Sequence, residues 1–180
     1  GSTFSFANAY QSDVAGVEIE FKKSFTTAKN YFIKHLGLMA NASYIYSKVN
    51  LGKENVGQSD NRPLQGQSPY SINAGIFFED KELGLQANLL YNVIGKRIAF
   101  VGTDDNPDIY EMSRHVLDFN IQYRFKKNVE ISLSANDLIN QPILFLQDGN
   151  RDKKWNRSTD QVFQKYQPGQ TVSLGVKYNF

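Results

Sequence analysis

Hydrophobic and polar residues alternate along the last eleven residues of the chain. Every second side chain from Val172 to Phe180 is aliphatic or aromatic, and the side chains between them are small or polar. A period of two places the two sets on opposite faces of a β-strand, whereas an amphipathic helix repeats about every 3.6 residues. The pattern therefore predicts a long strand with one apolar face and one polar face.

The same alternation predicts further strands upstream. No stretch has the repeat of an amphipathic helix over the length of a helix. The other predicted strands are Val17–Lys22, Leu36–Ser47, Tyr70–Phe78, Leu83–Ile94, Leu117–Phe125 and Val129–Asn136, with Leu90 and Ile94 as exceptions to the alternation. Thr3–Tyr10 is interpreted as the end of another. The sequence predicts an all-β, antiparallel, up-and-down arrangement of about seven or eight strands.

The connections between these strands alternate in length. The short ones are Glu79–Glu82 and Lys126–Asn128, Thr26–Lys34 is of moderate length, and the long polar ones are Asn50–Pro69, Val101–Ser113 and Gln147–Gly169. Compact soluble domains seldom carry several loops of that length. Short turns at one end and long loops at the other are typical of transmembrane β-barrels of the outer membrane.

Aromatic residues cluster at the two ends of the predicted strands. One group lies next to short turns or the C-terminus, and the other lies toward the long loops. The first contains Phe77, Phe78, Tyr123, Phe125, Tyr178 and Phe180, and the second contains Tyr44, Tyr46, Tyr70 and Tyr91. Two bands of amphipathic rings separated by aliphatic residues are favoured at the two interfaces of a bilayer.

Composition excludes several classes of protein. The chain has no cysteine, which excludes a disulfide scaffold, a thiolate zinc site and a cysteine nucleophile. A net charge of +2 without a long basic run predicts no nucleic-acid partner. No window approaches 18 unbroken apolar residues, so a transmembrane helix is not predicted, whereas barrel strands average to a polar-looking chain.

Several segments then resemble the TonB-dependent outer-membrane receptors, specifically the C-terminal part of the barrel in receptors with a carboxypeptidase-regulatory-like N-terminal domain. The similar segments follow the family's order along nearly the whole chain. They are Asn8–Glu20 with its Gly16–Glu20 core, Tyr44–Ser47, Arg62–Tyr70, Tyr91–Ile98, Asn136–Asn140, and Gln167–Gln170 leading into Gly175–Phe180. Each segment is weakly specific alone, and their order makes the resemblance more specific.

The resemblance implies an incomplete barrel in the outer membrane of a Gram-negative bacterium. Barrels of this family have about 22 strands, so this chain would supply the last part of the wall of a receptor for a siderophore, vitamin or oligosaccharide. Residues 1–2 are interpreted as a cloning or cleavage scar and residues 3–180 as the barrel segment. The implied partners are outer-membrane lipid and the barrel-assembly machinery, with TonB contacted only through an N-terminal part that this sequence does not contain.

The resemblance also assigns the last strand a role as the assembly signal. That signal consists of alternating apolar residues ending in an aromatic carboxyl terminus, here Val172, Leu174, Val176, Tyr178 and Phe180. Recognition by strand addition has a physical basis, because exposed backbone groups give affinity and alternate side chains fill pockets. In the last long loop, Trp155, Arg157, Phe163 and Tyr166 are the candidates for contact with an imported ligand.

The sequence predicts no catalytic residue, metal site or cofactor. Asp148–Asp152 begins like a calcium loop, but Lys153 stands where the loop needs glycine and Thr159 where it needs glutamate. This segment and Asp104–Asp108 are therefore interpreted as solvated acidic loop tips. His35 and His115 are predicted to lie far apart, and Ser113 beside His115 has no evident third member of a catalytic set.

Charged residues on the polar face are expected to form cross-strand ion pairs. They are Glu18, Glu20, Lys22, Asp118, Arg124, Glu130 and Lys177. An open sheet of seven or eight strands would also leave two unpaired edges, so the isolated segment is expected to self-associate edge to edge or to curl into a small barrel.

Three other interpretations remain open from the residues alone. A complete small eight-stranded outer-membrane barrel could serve as an anchor or adhesin. A soluble lipocalin-like carrier would place the apolar residues inside, and a soluble β-sandwich also has alternating strands.

Overall fold

The computed structural model describes residues 9–52, 57, 62–103, 105–125, 128–152 and 154–179. Within these ranges the protein is almost entirely β. The strands are β1 (Gln11–Ser24), β2 (Leu36–Asn50), β3 (Tyr70–Asp80), β4 (Leu85–Ile94), β5 (Arg97–Phe100), β6 (Ile109–Glu111), β7 (Arg114–Phe125), β8 (Val129–Asn136), β9 (Ile143–Gln147), β10 (Gln161–Tyr166) and β11 (Thr171–Tyr178), and the helix is α1 (Tyr31–Lys34). Across the described ranges, no helix combines the length and hydrophobicity needed to cross a membrane. Most of the predicted strand end at Thr3–Tyr10, and Phe180, lie outside the described residues.

Seven strands form the main sheet in the order β1-β2-β3-β4-β7-β8-β11, each antiparallel to its neighbour. This topology confirms the predicted up-and-down segment, and each strand predicted from Val17 to the C-terminus lies in this sheet. The structure extends some of them beyond the alternating residues. β1 already begins at Gln11 and β7 at Arg114. Strand pairing uses backbone groups, so it continues where the side-chain pattern weakens.

The register aligns apolar side chains into rows that cross the main sheet. One row runs through Ile76, Leu89, Phe119, Ala135 and Val172, so five successive strands present apolar groups at the same height. We call this side of the main sheet the apolar face. It is largely exposed: the exposed fraction is 73% for Leu174 at one edge strand and 67% for Ile19 at the other.

The opposite side, which we call the polar face, carries rows of amides, hydroxyls and charges. Asn41, Asn73 and Asn92 are register partners on three adjacent strands, and the Asn92 amide donates to Asn73 Oδ1 at 2.6 Å. Among the charged residues predicted to pair across strands, Arg124 and Glu130 do so at 3.4 Å. Cross-strand pairs of this kind stabilise neighbouring strands.

The aromatic residues of the short-turn end do not all share one face. Tyr123 and Phe125 lie on the apolar face, with ring centroids 6.5 Å apart, and Phe78 lies there as well. Phe77 is a register partner of Asn88 and therefore lies on the polar face. The prediction that grouped Phe77 with the lipid-side band was wrong, because adjacent residues of a strand point to opposite faces.

Four further strands form a second sheet in the order β10-β9-β6-β5. β5 follows β4, β6 precedes β7, β9 follows β8 and β10 precedes β11, so the second sheet extends two hairpins of the main sheet at the long-loop end. The segments Val101–Ser113 and Gln147–Gly169 were predicted as loops. That prediction was wrong in part, because they contain β6 and β10.

A buried carboxylate organises the short-turn end. Asp80 is 1% exposed and accepts hydrogen bonds from the backbone N–H groups of Glu82 (3.0 Å) and Leu83 (2.9 Å) and from the Tyr31 hydroxyl. His35 Nδ1 lies 3.3 Å from Asp80 Oδ2. Because Tyr31 lies on α1, the carboxylate joins the β1–β2 connection to the β3–β4 turn.

We expect Asp80→Ala to destabilise this end of the sheet more than Asp80→Asn. Alanine removes both oxygens, whereas asparagine keeps one carbonyl acceptor for the turn, and buried donors without an acceptor are costly. The expected result is a fall of several degrees in the midpoint of thermal unfolding for Asp80→Ala, measured in detergent micelles, and a smaller fall for Asp80→Asn. Tyr31→Phe, which removes one donor to the carboxylate and leaves the turn contacts intact, should also give a smaller fall than Asp80→Ala. An unchanged midpoint for Asp80→Ala would contradict this role.

Candidate functional site

A cavity of about 650 Å³ lies at the long-loop end, between the end of β2 and the second sheet. Its lining comes from Tyr44–Ser47 and from residues between Arg62 and Pro69, Lys96 and Ile98, Thr103 and Tyr110, and Asp148 and Trp155. We call it the loop cavity. Its volume falls within the range of about 300–1,000 Å³ that is usual for small-molecule sites.

The segment from Arg62 to Pro69 closes one side of the loop cavity. Val49 donates its backbone N–H to the Arg62 carbonyl at 2.8 Å, and Gly66 donates to the Ile98 carbonyl at 2.8 Å. The first bond attaches the segment to β2 in the main sheet, and the second attaches it to β5 in the second sheet. Arg62 is thereby held at the cavity by the backbone rather than by its own side chain.

A glycine allows the chain to turn from β4 into β5. Gly95 donates its N–H to the Tyr70 carbonyl at 2.9 Å, and a Cβ at Gly95 would lie 2.7 Å from a carbon of the Tyr70 ring. No other residue fits against that ring without displacing it. This close approach places the next residue, Lys96, in the lining of the loop cavity.

Lys96, Tyr110 and Trp155 form a cation–aromatic cluster in the cavity wall. The ring centroids of Tyr110 and Trp155 are 4.3 Å apart, and Lys96 Nζ lies 4.9 Å from the Trp155 centroid and 5.9 Å from the Tyr110 centroid. An ammonium group over aromatic faces is attracted by the ring quadrupole. Burial lowers the pKa of Lys96, and the Asp148 carboxylate opposes that change.

The Tyr110 hydroxyl remains protonated at neutral pH. Burial raises the pKa of Tyr110 to about 12, with Asp108 acting in the same direction and Arg62 against it. Asp108 is held in place because its carboxylate accepts the Gly102 N–H at 2.7 Å. The loop cavity therefore offers a neutral hydroxyl beside cationic groups.

Two other arginines of the lining already have partners. Arg97 binds the Glu111 carboxylate through Nε at 2.9 Å and Nη2 at 2.8 Å. Arg151 Nη2 donates to the Asp105 carbonyl at 3.1 Å. The first contact lies within the β5–β6 hairpin, and the second joins the two long loops beside the cavity.

The structure brings one of the four predicted ligand-contact residues, Trp155, into the loop cavity. Arg157 lies in an exposed turn, and Tyr166 ends β10. Phe163 packs against Phe100 with ring centroids 6.0 Å apart, although β10 and β5 are the outer strands of the second sheet. That contact requires the second sheet to curl. The role predicted for these four residues stays a prediction.

The predicted assembly-signal residues lie on β11, at one edge of the main sheet within the described chain. Val172, Leu174, Val176 and Tyr178 all belong to the apolar face, and each is more than half exposed. Phe180 lies outside the described residues. β11 is thus an exposed edge strand in which apolar and polar side chains alternate. The recognition of this strand by the assembly machinery stays a prediction.

The acidic loop at Asp148 is not the solvated tip that the sequence predicts. Asp148 is 6% exposed, lines the loop cavity and accepts the Asp152 N–H at 3.2 Å. Within the described ranges, no group of three or more His, Asp or Glu side chains could hold a metal ion. Asp104 of the other acidic loop lies outside the described residues.

The two histidines lie at opposite ends of the main sheet. His35 contacts Asp80 at the short-turn end, whereas His115 lies at the long-loop end, where its Nδ1 is 2.6 Å from the Tyr91 hydroxyl. The Ser113 hydroxyl is 3.3 Å from the Tyr70 hydroxyl. The side chains of His115 and Ser113 thus each contact a tyrosine hydroxyl.

Sequence reasoning did not identify Arg62, Lys96, Tyr110 or Asp148 as residues of one site. The signal available was indirect: Arg62 and Lys96 both lie in segments quoted for their resemblance to receptor motifs, one before β3 and one after β4. Two such segments at the same end of adjacent strands could have indicated a shared role. Tyr110 and Asp148 lie in segments treated as loops and gave no separate signal.

Comparison with known proteins gives one informative likeness. No family model matches the chain, and no curated protein matches it in sequence. A similar fold is present in the crystal structure of FyuA, the ferric yersiniabactin uptake receptor from Yersinia pestis, with a TM-score of 0.64 and 19% sequence identity. The match covers 96% of this chain and 24% of the FyuA chain. It shows that this chain has the fold of part of a receptor β-barrel.

Proposed function

We propose that this chain forms the C-terminal part of the barrel wall of an outer-membrane receptor for TonB-energised nutrient uptake. The observation that carries the proposal is the continuous apolar face, which crosses the main sheet in register and is exposed at both edge strands. An apolar face of this kind is stable in contact with lipid, whereas the polar face is stable in contact with water inside a barrel.

The likeness to FyuA supports the same interpretation. It spans almost the whole of this chain and about a quarter of an uptake receptor, which is the relation expected between a barrel segment and a full-length receptor. The β1 and β11 edges of this chain would then pair with the remaining strands of a larger barrel, since a bilayer does not tolerate unpaired strand edges. Substrate choice and the contact with TonB belong to the whole receptor.

Exposed apolar side chains argue against a soluble carrier. A lipocalin-like barrel would enclose the residues of the apolar face, yet the exposed fractions of Val176 and Val17 are 70% and 59%. Soluble monomers rarely expose apolar patches that extend across a whole sheet. A complete small barrel shares the lipid-facing surface, so chain length in the native cell separates it from a receptor.

We expect antibody raised against this chain to detect a protein much larger than 20.5 kDa in the outer-membrane fraction of the native cells. Immunoblotting of separated outer-membrane, inner-membrane and soluble fractions makes the measurement, with known residents of each fraction as controls. An outer-membrane band near 20.5 kDa would replace the receptor with a small barrel and remove TonB from the proposal. A band confined to the soluble periplasmic fraction would reject both membrane interpretations.

A further inference from the structure

We propose that the loop cavity binds a small organic anion with a flat apolar body, whose anionic group contacts Arg62 and Lys96. The inference deepens the proposed function, on which it rests for its physiological meaning, by naming the chemical class that the receptor would capture.

The first observation is an unused donor. Arg62 Nε is buried and has no hydrogen-bond partner among the described residues, while Nη1 donates to the Pro63 carbonyl at a long 3.3 Å. A guanidinium has five N–H donors and no acceptor, so an oxygen with negative charge is its best partner. Arg62 is half-buried and lines the loop cavity, so its guanidinium, although not the enclosed Nε itself, lies beside space for a ligand.

The second observation is the charge balance of the lining. Among the described residues of the lining, four cationic side chains face two carboxylates, namely Arg62, Lys96, Arg97 and Arg151 against Asp108 and Asp148. Glu111 neutralises Arg97 from outside the lining. Arg62 and Lys96 form no salt bridge with any described carboxylate, and a concave site focuses their field on an incoming anion.

The third observation is the aromatic and apolar wall. Tyr110 and Trp155 lie against each other beside Lys96, and Ile45, Ile98 and three prolines add apolar surface to the lining. Rings and prolines suit a flat apolar body better than an extended hydroxylated chain, because they supply contact area and few hydrogen-bond partners. Lys96, already placed over both rings, would bind an anionic group attached to such a body.

The partial burial of Lys96 fits the same ligand. Its ammonium group is partly desolvated, with Asp148 as the nearby negative charge that opposes the effect of burial. A second negative charge from a ligand would stabilise the protonated amine further. Anion binding would thereby compensate two cationic groups, Arg62 and Lys96, at once.

Isothermal titration calorimetry on the purified full-length protein in detergent tests the proposal, with sodium 2-naphthoate as the anionic probe and 2-naphthamide as its neutral match. We expect saturable binding of naphthoate and at least about tenfold weaker binding of the amide, the loss expected when one charge-assisted hydrogen bond is removed. Arg62→Gln and Lys96→Gln should each weaken naphthoate binding by roughly the same factor.

Arg124→Gln is the matched control, because Arg124 is a half-exposed arginine at the short-turn end of the main sheet, outside the cavity lining. Its affinity should equal that of the parent. Equal binding of acid and amide, unchanged affinity in both cavity variants, or no saturable naphthoate binding would overturn the proposal. If Arg62→Gln does not fold, Lys96→Gln and Arg62→Lys carry the test, since Arg62→Lys keeps the charge and removes the planar guanidinium, and it should also weaken naphthoate binding.

Failure of this inference is distinguishable from failure of the proposed function. Outer-membrane fractionation of a large protein without naphthoate binding would retain the receptor and reject the anion site. Naphthoate binding that depends on Arg62 and Lys96, in a protein confined to the soluble fraction, would retain the anion site and reject the receptor.

Discussion

Leu133→Lys should remove most of the protein from the outer membrane, whereas Ser134→Lys should leave it there. Leu133 lies on the apolar face in the middle of β8, opposite Ile121 of β7. A lysine directed at the middle of the bilayer from a barrel strand costs about 2–4 kcal/mol. Ser134 lies on the polar face opposite Asn120, where an added ammonium group would stay hydrated.

Quantitative immunoblotting of the outer-membrane fraction measures this difference. The pair on the neighbouring strand provides an independent repeat, with Ile121→Lys expected to resemble Leu133→Lys and Asn120→Lys expected to resemble Ser134→Lys. Equal tolerance of lysine on both faces would contradict the membrane assignment. Because the two residues compared are adjacent on one strand, the comparison holds depth in the sheet nearly constant and changes only the face. Because Ile121 and Asn120 are register partners of Leu133 and Ser134, the repeat is made at the same depth.

The main sheet was predictable because its strands are long and two-sided. In β11, Leu174 and Val176 alternate with Ser173 and Gly175, and a slip of one residue against β8 would exchange the two faces. Such a pattern constrains both the strand and its register. Phe77 and Phe78 could not belong to one band, because adjacent residues of a strand point to opposite faces, and closeness to the end of the strand was the wrong criterion for grouping them.

The second sheet was not predictable because its strands are short and irregular. β6 has three residues, and register shifts interrupt β5 between Ile98 and Phe100 and β10 between Val162 and Gln164. A bulge breaks the period of two that identifies a strand in a sequence. These strands form because the hairpins of the main sheet bring their backbones together.

The loop cavity was missed for a related reason. Its residues come from five separate segments, and only three-dimensional pairing places Arg62 beside β5 or Lys96 over Trp155. Trp155 was selected as a large aromatic residue in a polar loop, and that criterion also selected Phe163, which packs elsewhere. Residue type indicates the capacity to bind, whereas the topology decides which residues meet.

Arg114→Met is expected to lower the free energy of unfolding by about 3 kcal/mol, the lower end for breaking a buried ion pair. Arg114 binds the Asp137 carboxylate, and its Nε donates to the Gln141 carbonyl at 3.1 Å. The Asp137 side chain is 10% exposed, and its Oδ1 already has no hydrogen-bond partner among the described residues. Without the guanidinium, a buried carboxylate would lose its counter-charge at the junction between the two sheets.

Denaturant titration of the full-length protein in detergent measures the change, with Arg124→Met as the matched control. Arg124 is 55% exposed and lies 3.4 Å from Glu130, so its pair should contribute at most about 1 kcal/mol. Asp137 has a positive φ of 56°, which asparagine tolerates, so Arg114→Met combined with Asp137→Asn should recover part of the loss. Equal effects of Arg114→Met and Arg124→Met would show that burial does not distinguish the two ion pairs. If the double variant is as unstable as Arg114→Met alone, the unpaired charge of Asp137 is not the cause of the lost stability.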